Sequence, residues 1–289
     1  MCYYNGQKVT RAEYIRLKQL EKALASYDFL NRDLNIGFEY GKNVVLKPQM
    51  GKEDFDLVQM EWGFIPSWIK NRTELDHFRR GGVNPVTGKY DVPITTLNAI
   101  GEELFQKPMY KKAAKEQRCL VLSSGFYEWR HIYPLNKRTG QPLKTAVKYP
   151  HFIHLPKQEY FYMAGIWNPW TDKESGEYVE SNAIVTTKAN ELMEIIHNSK
   201  KRMPTILNED LAYEWLFGKM DEKRITEIAT TQFPYREMHA YPIAKDFITA
   251  LDPTERFDYP DLPPIDLPEY VNDNAKPKKD DNLQGSLFG

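Results

Sequence analysis

Arg118-Cys119-Leu120-Val121-Leu122-Ser123-Ser124-Gly125-Phe126-Tyr127-Glu128-Trp129 is the stretch on which the fold turns. Its first half reads as a strand over residues 118–122, which runs through a Ser-Ser-Gly turn into an aromatic segment that surrounds one carboxylate, Glu128. Upstream, residues 108–117 read as a helix. Downstream, residues 131–148 read as a loop, followed by strands over 152–154, 160–166 and 183–187, each rich in β-branched or aromatic residues. Short helices are expected over 189–196 and 209–217.

Further towards the N-terminus, residues 44–62 have a strand-like pattern and Trp62 to Trp68 form an aromatic-rich turn. Gly81, Gly82, Pro85, Gly88 and Pro93 mark residues 71–95 as a long loop. Residues 11–25 repeat apolar side chains at helical spacing behind Thr10, a good N-cap, and predict an amphipathic helix. Strands and helices mix without a βαβ rhythm, and no GxGxxG or P-loop pattern is present. The expected fold is α+β: one domain over residues 1–250, with a mixed, mostly antiparallel β-sheet core and flanking helices. From 251 to 289 the chain turns to proline and charge, which cannot bury enough apolar surface to fold alone. That segment is expected to wrap the domain at first and to be disordered near its end.

The composition sets bounds on function. With 289 residues, 41% hydrophobic and 13% aromatic, the chain can bury one large core or two modest ones. No run approaches the roughly 18 apolar residues that cross a bilayer, and the N-terminus has no secretory pattern, so the expected location is the cytoplasm, by the nucleoid. Cys2 and Cys119 stand in no metal-binding spacing and read as free thiols; neither a metal nor a cofactor is expected. The net charge of -1 is unevenly spread: residues 251–289 hold nine acidic and four basic side chains, which leaves residues 1–250 weakly positive. Such a balance is compatible with a local groove for DNA.

Five segments, taken in order, resemble the SRAP family, the SOS-response-associated peptidases or abasic-site processing proteins. They are Met1-Cys2, the Trp62 to Trp68 turn, Asn98-Ala99 with Glu102, Gly125 to Trp129, and His197 with Arg202-Met203-Pro204. The resemblance extends over about residues 1–245. It implies a covalent reaction with abasic sites in single-stranded DNA through Cys2, once Met1 is removed. Cys2, Asn98, Glu128 and His197 are the implied catalytic residues, and self-processing at the Met1–Cys2 bond is the implied peptidase activity.

The residues themselves supply a chemical reason for that reading. A cysteine at position 2, freed by removal of Met1, carries an α-amine and a thiol on adjacent carbons. The amine, with an ordinary pKa of about 7.7 to 8.0, has a neutral fraction at cellular pH. It can form a Schiff base with the aldehyde of a ring-opened abasic sugar, and the thiol can close a five-membered thiazolidine on the same carbon. Glu128 and His197 are suited to the proton transfers, Glu128 because aromatic surroundings raise a carboxyl pKa. Asn98 can orient the amine or the sugar.

Trp62, Trp68 and Trp129 are candidate stacking surfaces for DNA bases. Two family arginines are missing: Cys2 is followed by Tyr3, Tyr4 and Asn5 instead of Gly-Arg, and Asn98-Ala99 by Ile100 instead of Arg. Phosphates must therefore meet other cations, with Arg79, Arg80, Lys111, Lys112 and Arg202 as candidates. The extra residues 198–201 and the long segments 71–95 and 131–148 mark a divergent branch. Two other functions compete, a cysteine-dependent peptidase and a DNA-binding or recruitment module that does not react. The protein is expected to be a monomer. Its C-terminal Gln284-Gly285-Ser286-Leu287-Phe288-Gly289 resembles a motif that docks on the replication sliding clamp, with Gln284, Leu287 and Phe288 as the contact residues.

Overall fold

All six residues of the strand Arg118–Ser123 are buried, because apolar side chains cover both of its faces. Cys119 and Val121 join one hydrophobic cluster, Leu120 and Leu122 another. The computed structural model, which describes residues 2–268 and 270, shows why. Arg118–Ser123 lies between Lys42–Pro48 and Phe161–Thr171, antiparallel to both. Lys42–Pro48 pairs with Phe55–Trp62, Phe55–Trp62 runs parallel to Tyr178–Lys188, and Tyr178–Lys188 pairs back onto Phe161–Thr171. Five strands thus close into a barrel, which leaves none of them a free edge along these pairings. The fold is α+β, as the sequence predicts.

A second, wholly antiparallel sheet lies beside the barrel, in the order His239–Pro242, Val147–His154, Gly125–Ile132, Tyr4–Lys8, Asn31–Ile36. The two are joined by buried amides. Gln7 Nε2 donates to the Val44 and Leu122 carbonyls at 2.9 and 2.7 Å, while its Oε1 accepts from Val44 N–H and Asn35 Nδ2 at 2.9 Å each. Asn5 Nδ2 donates to Leu122 O and its Oδ1 accepts from Ser123 Oγ. Every polar atom of Gln7 has a partner, so the N-terminal strand is held in one register. That register places residue 2.

The structure corrects three sequence expectations. Residues 11–25 are not a helix but a hairpin, Tyr14–Leu17 against Leu20–Ala23, turned at Lys18, whose φ is 54°. Ile15 and Leu17 are both fully buried, a period of two that a helical window absorbed. The backbone N–H groups of Thr10, Arg11 and Ala12 do not begin a helix; they donate to the Glu159 carboxylate at 2.6 to 2.8 Å. Residues 71–95 are no simple loop, since they hold a helix Arg72–Arg80, capped by Asn71 Oδ1 on Glu74 N–H, and a short hairpin, Gly82–Val83 with Tyr90–Asp91. A helix Glu222–Ala229, capped by Asp221, lies where none was expected.

The helices Pro108–Glu116 and Glu209–Phe217 agree with the reading, and Glu191–Ile196 is two residues shorter than expected. Three hairpin ends share one local solution. Asn84, Asn136 and Asp172 each accept two backbone N–H bonds from the residues two and three positions on, and Gly88, Gly140 and Gly176 follow at φ of 66° to 77°.

The segment beyond residue 251 lies along the edge strand His239–Pro242. Phe257 N–H donates to Pro242 O, Tyr259 Oη to Ile243 O, and Tyr270 Oη to Ala240 O, while Ile265, Leu267 and Tyr270 pack on the cluster that contains Cys2. Gln284, Leu287 and Phe288 lie outside the described residues. Among the described residues no helix is long and apolar enough to cross a membrane.

Gly125 starts the strand that carries Glu128. A Cβ there would lie 2.2 Å from Phe152 Cζ and 3.0 Å from Ile153 O. Gly125→Ala is expected to destabilise the protein by about 1–3 kcal/mol through overpacking. An unchanged denaturant midpoint would show that Phe152 moves aside without cost.

Candidate active site at the N-terminal strand

Four side chains far apart in sequence meet where the second sheet adjoins the barrel. Cys2 is fully buried and precedes the strand fixed by Gln7. Asn98 begins the short strand Asn98–Ile100, which runs parallel to Tyr178–Lys188. Its Nδ2 donates to the Cys2 carbonyl at 2.9 Å, and its own carbonyl accepts from Tyr110 Oη. Glu128 sits mid-strand, 4% exposed, and His197 closes the helix Glu191–Ile196, whose N-cap is Asn190. Glu128 Oε2 lies 3.6 Å from His197 Nε2.

The electrostatics divide the roles. Burial pushes the Glu128 carboxyl up to about 7 and the His197 imidazole down to about 4. His197 Nδ1 lies 2.8 Å from the Arg202 carbonyl, which can only accept; the bond therefore places the proton on Nδ1 and leaves the Nε2 lone pair towards Glu128. A carboxyl that is half protonated near neutrality thus faces a neutral imidazole. The Cys2 thiol is raised well above its ordinary value, by burial first and by the Glu128 charge second, so the site does not favour a thiolate.

Arg130 and His151 belong to the same buried patch and were missed in the sequence. His151 pairs directly with Glu128 across the strands, and Arg130 is two residues from Glu128, hence on its face. Period-two reading outward from Glu128 is the signal that finds Arg130. Arg202 and Glu102, both in segments that resemble the family, meet as a two-pronged ion pair at 2.8 Å, with Arg202 also donating to the Thr186 carbonyl.

The candidate DNA contacts separate by burial. Trp62 is a core residue: it is 1% exposed and its Nε1 donates to Leu97 O. Arg79, 7% exposed, pairs with Glu61 at 2.7 Å, donates to Gly63 O and lies over the Tyr40 ring. Neither offers a surface to DNA, and Arg202 is held by Glu102. Trp129 packs on Tyr4 and Phe247. Trp68 is half exposed and Arg80 largely so, with Asp76 3.8 Å away. Lys111 and Lys112 are exposed on the helix Pro108–Glu116, Lys111 beside Glu222. Among the described residues, no three His, Cys, Asp or Glu side chains gather as a metal site.

The chain is 30% identical over 188 residues to the abasic site processing protein YoqW of Bacillus subtilis, covering 65% of this chain and 69% of that one. It is 28% identical over 273 residues to the abasic site processing protein HMCES of Gallus gallus, covering 84% and 70%. A crystal structure of a protein from Bacteroides thetaiotaomicron superposes with a TM-score of 0.67 at 25% identity, over 89% of this chain and all of that one. The family model for SOS response associated peptidase (SRAP) matches residues 1–249, and the chain belongs to that family.

Proposed function

We propose that this protein processes abasic sites by forming a covalent link to the ring-opened sugar in single-stranded DNA. With Met1 removed, the Cys2 amine attacks the C1′ aldehyde and water leaves, which gives a Schiff base. The thiol then adds across the C=N bond: sulfur bonds C1′, and its proton passes to nitrogen. Glu128 supplies the proton that lets water depart, and the His197 Nε2 lone pair takes a proton from the sugar hydroxyl during ring opening. The observation that carries the reading is the bond from Asn98 to the Cys2 carbonyl, which seats residue 2 beside the Glu128–His197 pair. The relatives YoqW and HMCES, both named abasic site processing proteins, support the substrate.

The test is a denaturing gel of the mature protein with single-stranded DNA that contains one abasic site. A shifted band stable to heat is expected, and mass spectrometry should find Cys2 as the N-terminal residue. Retained Met1, or no shifted band, would end the proposal. The family description favours a second reading, in which the same groups cleave the bond before Cys2. The two readings are compatible, and cleavage of added polypeptides without a DNA adduct would favour a general peptidase. On the first reading, Gln284, Leu287 and Phe288 tether the protein to the sliding clamp and raise its concentration at replication forks. A peptide of residues 283–289 should bind the clamp, and a Leu287→Ala/Phe288→Ala peptide should not; equal binding by both would dismiss the tether.

A further inference from the structure

Two of the family's arginines are absent at positions 4 and 100, and the fold commits Arg79 and Arg202 to internal ion pairs. A nucleic-acid strand at Cys2 therefore needs other cations. The sequence has none of the opposite charge from Trp129 to Gln158, whereas Arg130, Lys137, Arg138, Lys144, Lys148 and Lys157 all fall within it. The structure turns this segment into a projecting hairpin. The strands Gly125–Ile132 and Val147–His154 pair as far as Ile132 and Val147, and an isolated bridge joins Leu135 to Pro142 beyond them. Lys137, Arg138, Lys144 and Lys148 are all exposed on it, and none makes an ion pair among the described residues.

The hairpin is fastened to the reactive site. Asn198, directly after His197, accepts from His131 N–H at 2.9 Å and donates to the His131 carbonyl at 2.7 Å. His131 pairs with Lys148 across the strands. The Asn198 turn also presents Lys200 and Lys201, both exposed, and bends back through Lys201 N–H on the His197 carbonyl at 2.7 Å. The two segments that set this sequence apart from the family pattern, 131–148 and 198–201, thus form one continuous edge beside His197. The positive charge of that edge acts on the site: Lys148 helps to hold His131 below its ordinary value, after burial, and His131 and Lys200 do the same to His197.

We infer that this edge, Lys137, Arg138, Lys144 and Lys148 on the hairpin with Lys200 and Lys201 on the turn, binds the phosphates of the single-stranded DNA that flanks the abasic residue. The inference rests on the function proposed above and supplies the backbone contacts that the missing arginines would otherwise make. Its position is suited to the task. At ~3.3 Å per residue along a strand, the edge begins about 10 Å from Glu128, at His131 and Lys148, and continues outward to the hairpin end. Exposed lysines and arginines bind a polyanion by releasing its counterions, so they give affinity without base preference.

The test uses the full chain and an oligothymidylate without an abasic site, which separates binding from reaction. Affinity is measured against salt for the wild type, for Lys137→Gln/Arg138→Gln/Lys144→Gln/Lys148→Gln, and for Lys200→Gln/Lys201→Gln. Each phosphate contact adds about 0.7 to the log–log salt slope for single strands, so the fourfold variant should lose about 2 to 3 units and the double variant about 1. All six side chains are exposed, so thermal midpoints should not change. Reaction with free 2-deoxyribose, which has no phosphates, should be unaffected. A salt slope equal to wild type in both variants, or a wild type that does not bind the oligothymidylate, overturns the inference. If the slope falls as expected but no adduct forms with abasic DNA, the phosphate edge stands and the covalent function does not.

Discussion

Cys2→Ala is expected to leave no adduct that survives heat and denaturant, a complete loss of the shifted band expected of the wild type. The alanine variant keeps the amine, so a Schiff base still forms and reverses. Cys2→Ser has a hydroxyl that closes the ring poorly, and its adduct should appear only after borohydride reduction. The buried, proton-retaining thiol of Cys2 adds a second expectation. If ring closure uses the neutral thiol, whose proton moves to nitrogen as sulfur bonds carbon, then adduct yield should show no rise as pH approaches the ordinary thiol range. Wild-type and serine adducts of equal stability without reductant would exclude the thiazolidine.

Glu128→Gln is expected to slow adduct formation by about 10² to 10⁴, the range for loss of a general acid–base group. The pH profile tests the assignment more sharply than the rate. Attack requires a neutral amine, which is favoured above about 8. Loss of water requires a protonated Glu128, present below about 7 and lost above it. The wild-type rate should therefore pass through a maximum between these limits, whereas the glutamine variant should lack the alkaline decline and rise monotonically. If the variant keeps the alkaline limb, Glu128 is not the acid.

Stability separates this effect from misfolding. The carboxyl is raised in the folded state from 4.5 to about 7, so it costs nothing below pH 4.5 and its cost grows as pH rises to 7. Above pH 7 the cost is up to about 3 kcal/mol at about 1.4 kcal/mol per unit. Glu128→Gln should thus be the more stable protein at pH 8 while being the slower one.

The legible parts of the fold were those set by neighbours in sequence. Arg118–Ser123 was readable because a strand covered on both faces is apolar at nearly every position. Glu209–Phe217 and Glu191–Ile196, the second starting two residues later than expected, follow asparagine caps three residues from the groups they satisfy. The same kind of cap precedes Arg72–Arg80, where the surrounding glycines and prolines obscured it. Thr10 shows the opposite failure. No helix follows it: the N–H groups of residues 10–12 are met by the Glu159 carboxylate, 149 residues from Thr10 along the chain.

The site divides along the same line. By itself the sequence determined that removal of Met1 would leave an amine and a thiol on adjacent carbons at residue 2, since that depends only on covalent order. It also determined that Glu128 sits among aromatic residues, and that Asn98 and His197 fall in segments resembling the family. The tertiary structure alone decided that Asn98 holds the Cys2 carbonyl, that Glu128 faces His197, and that the carboxyl is buried deeply enough to stay partly protonated. It also decided which cations are available. Arg79 and Arg202 look like Lys137 and Lys148 in a sequence, yet the first two are taken by Glu61 and Glu102 and the others remain exposed. The reason is that solvent exposure and ion pairing depend on which distant strands pack together, and a residue's type does not carry that information.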